Sequence, residues 1–494
     1  MLPTENSCNP VIFARFRGNP ATAEKRKKIL FYGHYDVVAA NNDHDKWLTD
    51  PFSMQGINGY LYGRGTSDNK GPIMAAIFAC AELTAEKSLG ADIVFLIEGE
   101  EECGSRGFAK TIQQHKDLIG KIDWILLANS YWLDDRIPCL TYGLRGVIHA
   151  TIQIESNHPD LHSGVDGSAQ LDESLKDLVM LLSTLTGHHG SVQIPGFYDP
   201  IPKLSKEEEG LYTDIVQALV ARNPSLGDPD ELAASLMRRW REASLTIHRF
   251  QTSGPDNASI IPRLAKAAMS MRLVPNQEAS VIAKAFQKHL HSEFAKLGSN
   301  NTLTVTIDHA AEPWLGDVNN QIFKTLETAV MDAWGPFSEP QRRRSMVNTT
   351  KVTIPSLTDS YFGNKPPPAT SDALANGSAL TPLEITSSSA SSTTASFNKP
   401  RSTKTNKTIT DDDQETENQN NSPPQSRRKP FYIREGGSIP AIRFLEKEFC
   451  APAAHLPCGQ ASDSAHLDNE RLRLVNLYKS KEIFKQVFEE LPMK

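Results

Sequence analysis

Residues 29–71, ILFYGHYDVVAANNDHDKWLTDPFSMQGINGYLYGRGTSDNKG, decide how the chain is read. Ile29-Leu30-Phe31-Tyr32 is an apolar run too short for a helix and closed by Gly33, which predicts a buried strand. His34 and Asp36 follow it, on one side of an extended chain. A loop punctuated by Gly63 and Gly65 then presents Asp68, and Gly71-Pro72 opens an apolar helix with proline at a favoured first-turn position. A lone histidine at a strand end is usually structural. His-x-Asp at a strand terminus together with a loop aspartate is different, because imidazole and carboxylate form a donor set suited to zinc and similar divalent ions.

Working outward, Ile73–Leu83 is apolar nearly all round and predicts a buried helix. Ile93–Ile97 and Trp124–Leu127 predict further strands, the first running into Glu98-Gly99-Glu100-Glu101-Glu102 and the second into Asn129-Ser130. Strand, helix and strand in alternation give an α/β fold with a mainly parallel sheet, whose ligands sit at the carboxyl ends of the strands. His34, the glutamates and Asn129 all fall there. Three neighbouring glutamates are costly to pack unless a cation neutralises them, and one can hold an ion while the next takes a proton from water.

From about Gly146 the texture changes. Val147–Ile154 alternates like a half-exposed strand, 171–185 has helical periodicity, and a strand at 266–273, a helix at 279–297 and a strand at 302–307 follow. This predicts an α+β domain at 146–311 spliced into a first domain made of 1–145 and 312–494. Residues 338–430 are poor in aromatic and branched apolar side chains and are expected to be a disordered insertion. Order is expected to return at Phe431, with a last helix over 480–491.

The chain has 494 residues, 39% of them hydrophobic and 22% charged, with a formal charge of −7, which argues against nucleic acid as a partner. No apolar run reaches membrane-span length, and the N-terminus lacks the basic-then-apolar pattern of a leader. The six cysteines are scattered without a Cys-x-x-Cys pair, the pattern of reduced thiols in the cytoplasm.

Gly33–Val38, GRGTSDNKG, EGEEECGS, YGLRG at 142–146, His162-Ser163-Gly164, REGGSIP at 434–440 and Cys458-Gly459…His466 together resemble the co-catalytic metallopeptidases of the aminoacylase/carnosinase type. Within that family, ANSYWL at 128–133, EPWLGD at 312–317 and the segment 458–470 are similar to the metallopeptidase-like subunits of fungal glutathione-degrading complexes. The resemblance implies a di-metal exopeptidase domain interrupted by a dimerisation (lid) domain, with two zinc ions per chain, or manganese in their place. It also implies that the first α/β elements of such a domain are missing upstream of Val11, and that an N-terminal propeller is lacking.

Position by position, the resemblance makes Asp68 the bridging carboxylate, with a cis peptide after it. His34 serves one metal, and Glu102 and His466 serve the other. Glu101 is implied as general base, Asp36 as the partner that orients His34, and His162 as an oxyanion donor reaching across a homodimer. Arg272, Arg434 and Ser438 match positions that hold the substrate. Arg272 read alone could be a salt-bridge partner and Ser438 a helix cap. Asn129 stands where the dipeptidases carry a metal-binding aspartate, so one ion loses charge compensation. The implied function is hydrolysis of the γ-glutamyl bond of glutathione and related γ-Glu-X peptides beside a glutaminase-like amidotransferase subunit. An autonomous zinc di- or tripeptidase and an inert scaffold subunit stand as alternatives.

Overall fold

The computed structural model describes residues 1–5, 8–20, 26–40, 46–166, 171–335 and 429–493. Nearly all of the 338–430 insertion lies outside them.

Lys28–His34 is the strand the opening stretch predicts, and it is buried from Ile29 onward. It pairs in parallel with Asp92–Glu98 on one side and Trp124–Leu127 on the other. Ala453–His455 adds in parallel to Trp124–Leu127, so the middle of the sheet is parallel. The margins are mostly antiparallel. Ile12–Phe16 closes one side against Asp92–Glu98, and Cys139–Leu144 with Trp314–Leu315 closes the other. Phe431–Glu435 joins Cys139–Leu144 in parallel.

Successive side chains of a strand point to opposite faces, and both faces are covered. Phe31 meets Phe484 of the C-terminal helix Leu474–Glu490, whereas Tyr32 meets Phe108 of the helix Phe108–Gln114. Leu474–Glu490 also packs against Gly71–Ala85 and Gln321–Trp334. The last helix thus starts six residues before the expected 480, at Leu474. Its first turn carries Val475 and Tyr478 outward, which hides the apolar rhythm there.

A second, wholly antiparallel sheet has the order Ser244–Thr252, Leu264–Leu273, Gly146–Glu155, Thr302–Ala311. Ile148, Ala150, Ile152 and Ile154 alternate with Ala265, Ala267, Met269 and Met271 to face the helices Ser174–Ser183 and Ala279–Leu297. The opposite face, with His149, Thr151, Ser270 and Arg272, is polar. Between these elements lie two helices that the sequence reading passes over, Lys206–Arg222 and Pro229–Trp240. Their signals are local: Ser205 accepts the Glu208 N–H, and Asp228 caps a helix that opens on Pro229.

Candidate metal centre

The two glycine-rich turns and the strand ends of the large sheet bring four distant segments to one point. Asp68 stands at its centre. His34 Nε2 lies 2.9 Å from Asp68 Oδ1, and His466 Nε2 lies 3.0 Å from Asp68 Oδ2 and 3.1 Å from Glu102 Oε2. One carboxylate therefore shares its two oxygens between two histidines. Donor atoms of His34, Asp68 and Glu102 all lie within 4.8 Å of one another. The Asp68–Asn69 peptide is cis.

Each side chain is held from behind. His34 Nδ1 lies 3.1 Å from the Asp36 carbonyl and 3.4 Å from its Oδ1, while Asp36 Oδ2 accepts the Glu102 N–H at 2.9 Å. Asp36 thereby fixes both a histidine and the glutamate turn. Asn69 reaches back in the same way, its Oδ1 accepting the His34 N–H at 3.3 Å and its Nδ2 donating to the Ala128 carbonyl.

Glu470, which closes the 458–470 motif but is assigned no role in the sequence, organises the Asp68 loop. It is fully buried and accepts from Arg64 Nη1 at 2.7 Å and from the N–H groups of Gly65, Ser67 and Asp68 at 3.0 to 3.1 Å. A carboxylate that gathers a guanidinium and three amides fixes the turn into Thr66–Lys70, whose backbone departs from helical geometry at Asp68. Its complete burial, unusual for so polar a residue, reveals the role.

The electrostatics show a demand for positive charge. Burial would lower the His34 pKa, but its hydrogen bonds to Asp36 and Asp68 carry it well above the ordinary histidine value. Asp68 and then Glu102 push His466 up to about 10. Asp68 itself, despite burial, is held well below the carboxylate range by His34 and His466. Burial pushes Glu101 up to about 8; His34 opposes this, and Asp68, Glu102 and Glu98 add to it. Glu102 Oε1 is buried with no hydrogen-bond partner. Converging carboxylates, two imidazoles aimed at them and an orphaned oxygen fit a divalent cation.

Asn129 is also present but presents the wrong end. Its Oδ1 accepts the Ser130 N–H at 2.5 Å, leaving Nδ2 to face His34 Nε2 at 3.5 Å. Beneath it, Ser130 Oγ and Thr141 Oγ1 donate to Glu435, whose carboxyl burial pushes up to about 7. The sequence reading assigns Glu435 no role.

The remaining expected residues lie outside the cluster. Arg434 is buried, paired with Glu208 at 2.6 Å and stacked over Tyr142. Its partner comes from the overlooked helix Lys206–Arg222. Ser438 is half-buried and does not cap the helix Pro440–Phe449, since Ile439 holds that position. Arg272 sits on the polar face of the small sheet with no ion-pair partner among the described residues. His162 is exposed, its Nδ1 accepting the Gly164 N–H, and it does not touch the cluster within its own chain.

Residues 30–356 match the model of Peptidase family M20/M25/M40. The chain is 34% identical to the "Probable di- and tripeptidase DUG2" of Saccharomyces cerevisiae, over 99% of this chain and 45% of that protein, so it spans about half of that relative's length. It is 33% identical to the human "Beta-Ala-His dipeptidase" over 69% of this chain and 68% of that one. The solved structure of the di-peptidase Dug1p from Saccharomyces cerevisiae superposes with a TM-score of 0.67 at 25% identity, covering 100% of this chain and 85% of its own.

Proposed function

Because the chain belongs to Peptidase family M20/M25/M40, we propose that it is a peptidase-type subunit that hydrolyses the γ-glutamyl bond of glutathione and related γ-Glu-X peptides, acting with a glutaminase-type amidotransferase. The observation that carries this reading is the convergence of His34, Asp68, Glu102 and His466, with Glu101 alongside. A di- and tripeptidase name on the yeast relative fits a tripeptide substrate, and the motifs at 128–133, 312–317 and 458–470 support the glutathione assignment.

Two zinc ions bound here would supply Lewis acidity toward the scissile carbonyl and toward water. Asp68 would be shared by both, His34 would hold one and Glu102 with His466 the other, while Asn129 would contribute only with its amide turned, since its oxygen is taken by the Ser130 N–H. Glu101 receives the proton of the attacking water and returns it to the leaving amine, a task its raised affinity for protons suits. Asp36 keeps His34 in one tautomer. Arg272 and Ser438 take the carboxylate and backbone of the peptide, and His162 of the partner subunit steadies the developing oxyanion in a homodimer. Arg434 has no place among the substrate contacts in this scheme, being committed to Glu208. No helix among the described residues is long and apolar enough to cross a membrane, and we place the protein in the cytoplasm, where its six free thiols stay reduced.

Asn129 favours one other reading, a chain that no longer turns over and serves its partner as a scaffold. Glutamate release from glutathione, measured for the chain alone, for the complex with the amidotransferase and for the complex carrying Glu101→Gln, separates the two. The proposal expects release by the complex and its loss with Glu101→Gln. Full activity of the variant complex would leave only the scaffold.

A further inference from the structure

The polar face of the small sheet is basic along one band. Ser270 is paired with His149, and His149 with His309, on neighbouring strands, while His248 Nε2 reaches Ser270 Oγ at 2.8 Å. The His149 and His309 rings are 6.1 Å apart. One step along the strands lies Arg272, in register with Val147. Beside it stands Arg145, whose charge Arg272 and Arg239 oppose. Arg145 is held by backbone carbonyls, with Nε donating to Gly436 at 3.1 Å and Nη1 to Glu242 at 3.5 Å. Among the described residues no carboxylate pairs with Arg145 or Arg272. Asp308, the acid that does reach His149, is engaged by Thr151 at 2.7 Å.

Two contacts fix this band against the metal centre. The His309 ring lies 3.0 Å from where a Cβ on Gly104 would stand, directly after the Glu101–Cys103 turn. Arg145 Nη2 is equally close to the Cβ position of Gly436, the residue after Glu435. The chain carries a net charge of −7, so two neighbouring guanidiniums with no paired carboxylate among the described residues are a local departure. Half-buried guanidiniums that repel one another cost free energy until an anion joins them. The four strands span about 14 Å from the His248 strand to the His309 strand, enough for an extended tripeptide of roughly 10 Å.

We propose that this face is an anion-binding surface that selects peptides carrying two carboxylates, one taken at Arg272 and the second at Arg145, with the histidine row as flanking hydrogen-bond donors. It rests on the reading of the site as a peptide site and sharpens its substrate class, since a γ-glutamyl tripeptide carries a carboxylate at each end. A neutral dipeptide leaves Arg145 unanswered.

The test uses the whole 494-residue, zinc-treated chain with Glu101→Gln to stop turnover, and isothermal titration with Ala-Glu and Ala-Gln. Ala-Glu is expected to bind about tenfold tighter or more, the size of one charge-assisted hydrogen bond. The ratio is expected to fall toward one when Arg145→Gln is added. Equal affinities in the chain with native Arg145, no binding of either peptide, or a ratio that Arg145→Gln leaves unchanged would overturn the proposal. Glutathione titrated against its α-linked isomer Glu-Cys-Gly isolates the other premise. A kept Ala-Glu preference without discrimination between these isomers would remove the γ-glutamyl assignment and leave the two-carboxylate surface standing.

Discussion

The side-chain nitrogen of Asn129 faces Nε2 of His34 at 3.5 Å, while its oxygen is taken by the Ser130 N–H. An amide dipole turned this way offers a cation nothing, and a carboxylate at the same place would offer a charge. Asn129→Asp is therefore predicted to tighten zinc binding by about tenfold or more. Competition with a chromophoric chelator measures it. Unchanged zinc affinity would mean that position 129 does not belong to the metal centre.

Glu470 predicts a different loss. Its truncation leaves the Arg64 guanidinium buried and three loop amides without an acceptor. Glu470→Ala should cost about 3–5 kcal/mol in stability, the range for breaking a buried charge pair. Denaturant unfolding reads the cost directly. Glu470→Gln, which keeps an acceptor, should lose less.

Much of this centre was legible in the residues. The short apolar strand ending in His34, the Gly63–Gly65 loop before Asp68 and the glutamate run after a buried strand each carry a local signature, and the structure brings them together. What escaped were relationships between distant residues. Glu470 and Asp68 are 402 positions apart, and no periodicity links them. The Arg434–Glu208 pair depends on a helix whose exposed charged face has little apolar rhythm, although its Ser205 cap was visible. Ser438 shows the limit of a cap argument, since the helix begins one position later than its hydroxyl could serve.

Glu101→Gln should lower any peptide hydrolysis by about 10²–10⁴-fold, the usual contribution of a positioned general base. Zinc content should stay the same, because Glu101 is assigned to the proton and not to the ion. A parallel fall in zinc content would reassign it as a ligand.

Stability should also fall as pH rises. Burial first, against their hydrogen bonds, pushes Glu98, Glu435 and Asp463 up to about 7 in the fold. The folded state then binds more protons than the unfolded chain between about pH 4 and 7, so stability present below that window is lost through it. His455, pushed down to about 4 by burial, works the other way and only below the ordinary histidine value. Thermal melts of the chelator-treated chain are expected to drop from pH 6 to pH 8, and Glu98→Gln should flatten the drop.

The most direct measurement is zinc per chain by elemental analysis after gel filtration, for the unmodified protein and for Asp68→Asn. One carboxylate placed between two histidines predicts at least one retained zinc in the unmodified chain and essentially none in the variant. Equal zinc in both, or none in the unmodified chain, would contradict a metal centre built on Asp68.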